Sequence, residues 1–289
     1  MKTSECFKNQ RPVLSFEVFP PRANASEKAL DRFYHTLDIL ADLKPAYISV
    51  TYGAGGSNNQ SSTLALVKYI RDHYGIEAVP HIPAVKFTKE TVNDFLGELK
   101  ASHIDNVLAL RGDLPEHDDG QRDFQYASDL VKYIKSVGDF NVLAACYPDV
   151  HPEAADAVKD IQNLKTKVDA GVSQLVTQLF FENEHFYHFT ERCELAGINV
   201  PIQAGIMSVI NERQIKNMAT MCGVGLPDKF AKMMSRYHDN PIAMRDAGIA
   251  YAVDQMVDLL AHDVDGIHLY TMDNPIVAQR ICDAVKTLV

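Results

Sequence analysis

Eight short apolar runs rich in β-branched residues, each followed by a longer amphipathic stretch, predict an α/β chain folded as a single (β/α)8 TIM barrel. The repeat averages roughly 36 residues, and a barrel of roughly 250 residues accounts for nearly the whole 289-residue chain. The rival fold, a doubly wound open sheet, ordinarily carries a GxGxxG turn for a dinucleotide. Here the segment GAGGSNN at 53–59 lacks the third glycine and reads as a loop. No linker or internal repeat divides the chain, so one domain over 1–289 is expected.

Taken in order, the strand candidates are 13–19, 46–51, 78–82, 106–110, 142–147, 174–179, 200–206 and 266–271. Helical periodicity fills the intervals at 26–43, 61–74, 88–102, 126–137, 152–171 and 182–197. Ser26 and Thr88, each closely followed by an acid, mark helix starts, and Gly171 and Gly197 mark ends. The stretch 211–262 holds two or three helices, so extra helices are expected between strands seven and eight.

Composition narrows the function. Hydrophobic residues make up 46% and charged residues 23%, an ordinary globular balance. With 28 Lys and Arg against 38 Asp and Glu, the formal net charge is −10, which argues against nucleic acid or an anionic membrane as partner. No run approaches ~20 apolar residues, and the first residues have no apolar signal core, so a cytoplasmic protein is expected. The five cysteines are widely spaced without a CxxC pair, which fits neither a disulfide framework nor a zinc site.

In a barrel the chemistry is carried where strands end and in the loops just after them. Glu17 lies in SFEVFPP, among aromatics and prolines, where lost hydration suits a carboxyl to proton donation; the alternative is an acid satisfied by a buried basic partner. Strand three ends at His81, which is either a ligand contact or a hydrogen-bonded core residue. Strand four ends in Arg111-Gly112-Asp113: a guanidinium for phosphate, a glycine for close approach, a carboxylate for a heterocycle. Gln178, after strand six, can bind a ring amide or cap neighbouring backbone. Asp160, Asn163 and Lys167 share one helical face, which on its own reads as solvated. His185 and His188 lack a third ligand and are rejected as a metal site. No lysine sits at a strand end, which weakens a Schiff-base reading.

Together the segments SFEVFPP, ISVTYGAGG, VPHI, LALRGDLP, YASDLV, YPDVHPEA, NLKTKVDAG and TQLFF, in that order, resemble the methylenetetrahydrofolate reductases, flavin enzymes of one-carbon and methionine metabolism. The resemblance covers nearly the whole chain. It implies reduction of 5,10-methylenetetrahydrofolate to 5-methyltetrahydrofolate by NADH or NADPH, in ping-pong fashion through one FAD, and a homo-oligomer. It makes Glu17 the general acid and Asp113 the acid near the flavin ring. Thr51, Tyr52, His81, Arg111, Gly112, Asp113, Tyr126, Ala127, Tyr147, His151, Asp160, Asn163 and Lys167 match positions that contact FAD, which turns the Asp160 face from solvated to cofactor-binding. Glu17 and Gln178 match folate-binding positions.

Two departures fall on the substrate side. Asn274 stands where related bacterial sequences have an arginine, and Glu212 where they have a stacking phenylalanine. Both put substrate affinity in question more than reaction class. The chain stops soon after strand eight, so the C-terminal regulatory domain of eukaryotic members and S-adenosylmethionine feedback are not expected. A pterin-binding methyltransferase on the same barrel would lack flavin absorbance, and a non-catalytic flavin or folate carrier would lack turnover.

Overall fold

The structure is a computed structural model that describes residues 1–9, 12–22, 24–52, 60–114, 120 and 122–289, without the side chains of residues 60 and 214. Eight parallel strands close a barrel in chain order: β1 (Val13–Val18), β2 (Tyr47–Val50), β3 (Glu77–Pro83), β4 (Asn106–Leu110), β5 (Asn141–Cys146), β6 (Gln174–Thr177), β7 (Ile202–Met207) and β8 (Gly266–Tyr270). Closure comes from β1 pairing with both β2 and β8, so that Glu17 stands in register with Ser49 on one side and Tyr270 on the other.

Around the barrel run α1 (Cys6–Asn9), α2 (Glu27–Asp42), α3 (Gln60–Tyr74), α4 (Lys89–Ala101), α5 (Ala127–Val137), α6 (Ala157–Asp169) and α7 (Asn183–Leu195). The extra segment before β8 is three helices, α8 (Glu212–Cys222), α9 (Asp228–Tyr237) and α10 (Pro241–Ala261), and α11 (Pro275–Val285) follows β8. The sheet is closed, as the 36-residue repeat predicts. Among the described residues no helix is long and apolar enough to cross a membrane. The GAGGSNN loop at 53–59 lies outside the described residues.

Boundaries differ from expectation for identifiable reasons. Strand six stops two residues early because Gln178 turns its own side chain onto the backbone, Oε1 accepting from Leu179 N at 2.9 Å. Strand seven starts late because Pro201 has no N–H to give a ladder. Thr88 caps α4 reciprocally with Thr91, whereas Ser26 makes no side-chain cap on α2. Gly171 and Gly197 follow α6 and α7 at φ +120° and +71°, a region that favours glycine.

The outward strand faces pack against the helices through an aliphatic and aromatic core that includes Phe16, Ile48, Ile82, Val107 and Leu269. A smaller cluster of Phe181, Met207, Phe230 and Met234 roofs one side of the barrel mouth beneath the extra helices. Inside the barrel, an apolar layer of Tyr47, Val79, Leu108, Leu143 and Val176 is bounded by polar groups. At the N-terminal end Thr3 closes the lumen: its N donates to Asn106 Oδ1, its hydroxyl donates to Gln174 Oε1, both at 2.8 Å, and Asn141 Nδ2 donates to that hydroxyl at 2.9 Å. Each buried polar side chain here has a partner, which is what makes such a layer tolerable.

Candidate active site

The centre of the barrel mouth is Glu17. Its position on β1 points it into the lumen, where its side chain is 11% exposed. Two imidazoles flank it, and both make their closest approach to the same oxygen: His81 Nε2 on β3 lies 3.6 Å from Oε2, and His268 Nε2 on β8 lies 3.8 Å from it. Burial pushes the His81 imidazole below its usual pKa, against the opposing pull of Glu17, and His268 lowers it further. In its neutral form His81 offers Glu17 no full positive charge.

The rim is built from strand ends. Arg111, just past β4, makes a two-pronged pair with Glu153 in the loop after β5, Nη1 to Oε2 at 2.5 Å and Nη2 to Oε1 at 2.6 Å. That pair holds the Glu153 carboxyl below its usual range. Gly112 follows at φ +84°, and a Cβ there would stand 2.8 Å from Val85 Cγ2 and 3.0 Å from Pro83 Cβ. Its backbone is therefore pressed against the end of β3. Asp113 is exposed beside it.

The next loop and helix form a second wall. His151 N donates to Asp160 Oδ2 at 3.1 Å, and Glu153 N donates to His151 Nδ1 at 3.1 Å. The His151 and Tyr147 rings meet edge to face at 4.5 Å. Burial pushes the Tyr147 phenol up to about 12, with Gln178 hydrogen-bonding it in opposition. Lys167 Nζ donates to Ala145 O at the end of β5, and burial lowers its pKa. Asp160 and Lys167 thus face β5 while Asn163 on the same helix is exposed, so the face is only partly solvated. Tyr52 is buried against Phe87, whereas Tyr126 stands exposed just before α5, with Ala127 half-buried after it.

Two residues that the resemblance places on the substrate side have structural duties. Asn274 Oδ1 accepts from Val277 N at 3.2 Å and caps α11, and Glu212 pairs with Lys216 at 2.6 Å within α8. A groove of about 830 Å³ opens beside Asn274, lined also by Arg22 and Arg32. His185 contacts Asp149 and His188 contacts Glu191, and among the described residues no group of three or more His, Cys, Asp or Glu could hold a metal.

Two residues beside Glu17 do not stand out in the sequence. Asp273 accepts from Phe19 N at 3.1 Å through Oδ1, from backbone at φ +52°, and its carboxyl is pushed up to about 6 by burial, with Glu17 adding to the rise. His268 is wholly buried below Glu17, its Nδ1 2.7 Å from Ser15 Oγ. The period-two alternation Ser15, Glu17 and Tyr47, Ser49 could have placed these residues on one lumen face.

FAD fits this surface on three observations. Thr51 Oγ1 and His81 Nε2 are buried at the mouth without a hydrogen-bond partner, an uncommon state that a polar ligand would relieve. Lys167 places a half-buried amine against the Ala145 carbonyl, and Arg111 is paired with a carboxylate that is itself exposed.

Comparison with known proteins identifies the family. The family profile described as methylenetetrahydrofolate reductase matches residues 2–286. The 5,10-methylenetetrahydrofolate reductase of Escherichia coli (strain K12) is 39% identical over 269 residues, covering 93% of this chain and 89% of that protein. Its counterpart in Pectobacterium carotovorum is 38% identical over 269 residues, with 93% and 88% covered. Methylenetetrahydrofolate reductase (NADH) 1 of Arabidopsis thaliana is 33% identical over 276 residues, 90% of this chain but 46% of its own length. A solved Clostridium thermocellum protein, described as binding two copies of 5-methyl-5,6,7,8-tetrahydrofolic acid, superposes with TM-score 0.68 over 100% of this chain and 99% of its own. At 11% identity it speaks for the fold alone. Barrel, motif order and relatives converge: the chain belongs to the methylenetetrahydrofolate reductase family.

Proposed function

We propose that the chain reduces 5,10-methylenetetrahydrofolate to 5-methyltetrahydrofolate as a single flavin-binding barrel over residues 1–289, with FAD as cofactor and NADH or NADPH as hydride donor. The observation that carries the reading is the buried Glu17 carboxyl between two imidazoles at the mouth of this family's barrel. When bound, FAD would supply hydride transfer from the dinucleotide to the folate, the two substrates using one place in turn.

The protein's part is to hold and to protonate. Arg111 and Lys167 supply positive charge for the cofactor phosphates, with Gly112, Asp160 and Asn163 shaping the same wall. Thr51, Tyr52, His81, Tyr126, Ala127, Tyr147 and His151 line the remaining surface. The methylene carbon bridges two folate nitrogens, so one C–N bond must open before hydride is accepted. Glu17 donates the proton to the leaving nitrogen, a contribution of about 10²–10⁴ in rate. The Asp113 carboxyl group would favour the cation formed on the folate and disfavour added negative charge on the cofactor, so its effect would differ in sign between the half-reactions. Gln178 and Asn274 are assigned to the folate side. A homo-oligomer in the cytoplasm completes the proposal, the five free cysteines being in keeping with a reduced compartment.

Glu17→Gln is the test. Visible absorbance and anaerobic stopped flow should show flavin reduction by the dinucleotide intact and reoxidation by methylenetetrahydrofolate lost. Equal losses in both half-reactions would remove Glu17 from the acid's role.

A further inference from the structure

The lumen beneath Glu17 contains a hydrogen-bond network that runs in one direction. Tyr47 donates its hydroxyl to Gln203 Oε1 at 2.5 Å, and Gln174 Nε2 donates to that oxygen at 3.2 Å. Gln203 Nε2 is thereby turned toward β1, donating to Ser15 Oγ at 2.9 Å and to Val13 O at 3.1 Å. Ser15 has one hydrogen to place. Its alternatives are His268 Nδ1 at 2.7 Å, Ile267 O at 3.5 Å and the Tyr47 hydroxyl, which Ser15 also meets, and the short contact to Nδ1 takes it. With Nδ1 accepting, the ring hydrogen is on Nε2. That nitrogen stands 3.4 Å from Ser49 Oγ and 3.8 Å from Glu17 Oε2.

The geometry points to His268 as the positioning residue of the acid: its Nε2–H, aimed by Ser15 and Gln203, bonds Ser49 Oγ and turns the positive end of the ring dipole toward Oε2 of Glu17, 3.8 Å away and beyond hydrogen-bond length, which favours negative charge on that oxygen and the transferable proton on the other. The inference rests on the reading of Glu17 as proton donor. The other titratable groups facing Glu17 are Tyr47 from β2, His81 from β3, Tyr270 from β8 and Asp273 from the loop after it. Burial holds both phenols and the His81 imidazole neutral, and Asp273 is occupied with Phe19 N. His81 Nε2 has no hydrogen-bond partner, whereas the tautomer of His268 is set.

Two substitutions separate position from packing. His268→Asn keeps an amide near the place of Nδ1, in reach of Ser15, but stops short of Glu17. His268→Gln puts an amide nitrogen where Nε2 stands. In flavin-loaded enzyme the two half-reactions are followed separately across pH. His268→Asn removes the N–H dipole directed at the carboxylate, so the alkaline fall of the folate half-reaction should move upward by roughly half a pH unit. Its plateau should drop roughly tenfold as the proton is no longer confined to one oxygen. His268→Gln should restore both, and flavin reduction by the dinucleotide should be unchanged in either variant. A wild-type pH profile in His268→Asn, or parallel losses in both half-reactions, would overturn the inference. If His268→Asn does not fold, Ser15→Ala frees the tautomer with the imidazole in place, and should give the same upward movement in smaller size; an unmoved profile there also overturns it. Full folate reduction in Glu17→Gln overturns the reading of the acid and this inference with it. Loss in Glu17→Gln alongside an unmoved His268→Asn overturns this inference alone.

Discussion

Asp273 holds the end of β1 to the loop after β8, and it does so as a buried acid on left-handed backbone. Its carboxyl is raised from 3.8 to about 6 because burial disfavours the charged form more than the Phe19 N–H bond restores it. Between pH 4 and 6 the folded chain therefore keeps a proton that the unfolded chain has released, and stability falls as pH rises through that window. Two pKa units correspond to about 3 kcal/mol, lost in full above pH 6. Asp273→Asn removes the charge, keeps an oxygen for Phe19 N, and tolerates positive φ at least as well. The variant should be more stable than wild type by about 2–3 kcal/mol at pH 7.5 and equal to it near pH 4. Urea unfolding of both proteins at the two pH values measures this. A variant that is less stable at pH 7.5, or a gap that does not change with pH, would refute the assignment of strain to the ionised carboxyl.

Lys167→Ala should weaken FAD retention by one to two decades, the loss of a charge-assisted bond of about 1.5–3 kcal/mol, and Asn163→Ala should do so more mildly. Full flavin content after extensive dialysis would return that helix face to solvent. Gly112→Ala places a Cβ against Val85 and Pro83 on left-handed backbone and should destabilise the chain by about 2–4 kcal/mol in denaturant titration; a loss under about 0.5 kcal/mol would mean the loop moves freely. Asn274→Arg should lower the KM for methylenetetrahydrofolate by offering a cation to the folate's carboxylates, while costing about 0.5–2 kcal/mol of stability through the lost cap of α11. An unchanged KM with the stability loss present would mean that position 274 serves the helix only.

What the sequence made legible was local or periodic. Each strand centre is a continuous apolar run because parallel strands are covered on both faces, and the spacing between runs is the length of a strand–helix unit. The misplaced ends have chemical causes: at Gln178 the side chain binds its own neighbour, and at Pro201 an N–H is missing. Glu17 stood out because a carboxyl among Phe16, Phe19, Pro20 and Pro21 conflicts with its surroundings. His268 did not, since within GIHLY it is one polar residue in a strand, and its meaning depends on Ser15, 253 residues away. Arg111 and Glu153 are 42 residues apart, and no pattern read along the chain pairs them. Asn274 illustrates the reverse difficulty. Asparagine before proline is a good helix cap, so a position compared for ligand chemistry had a structural task that its neighbours already announced.

The pairing of β1 with β8 has a consequence for how the protein is made. At about 5–20 residues per second, the 253 residues from Ser15 to His268 take a ribosome roughly 13–50 s to add. Throughout that interval β1 has an unpaired edge facing the nascent chain's surroundings, the kind of edge that recruits other strands. β8 is five residues long, and it delivers barrel closure and the neighbour of Glu17 together. Synthesis that halts before residue 266 should therefore yield an aggregating half-sheet, and no intermediate length of chain should give a weakened enzyme.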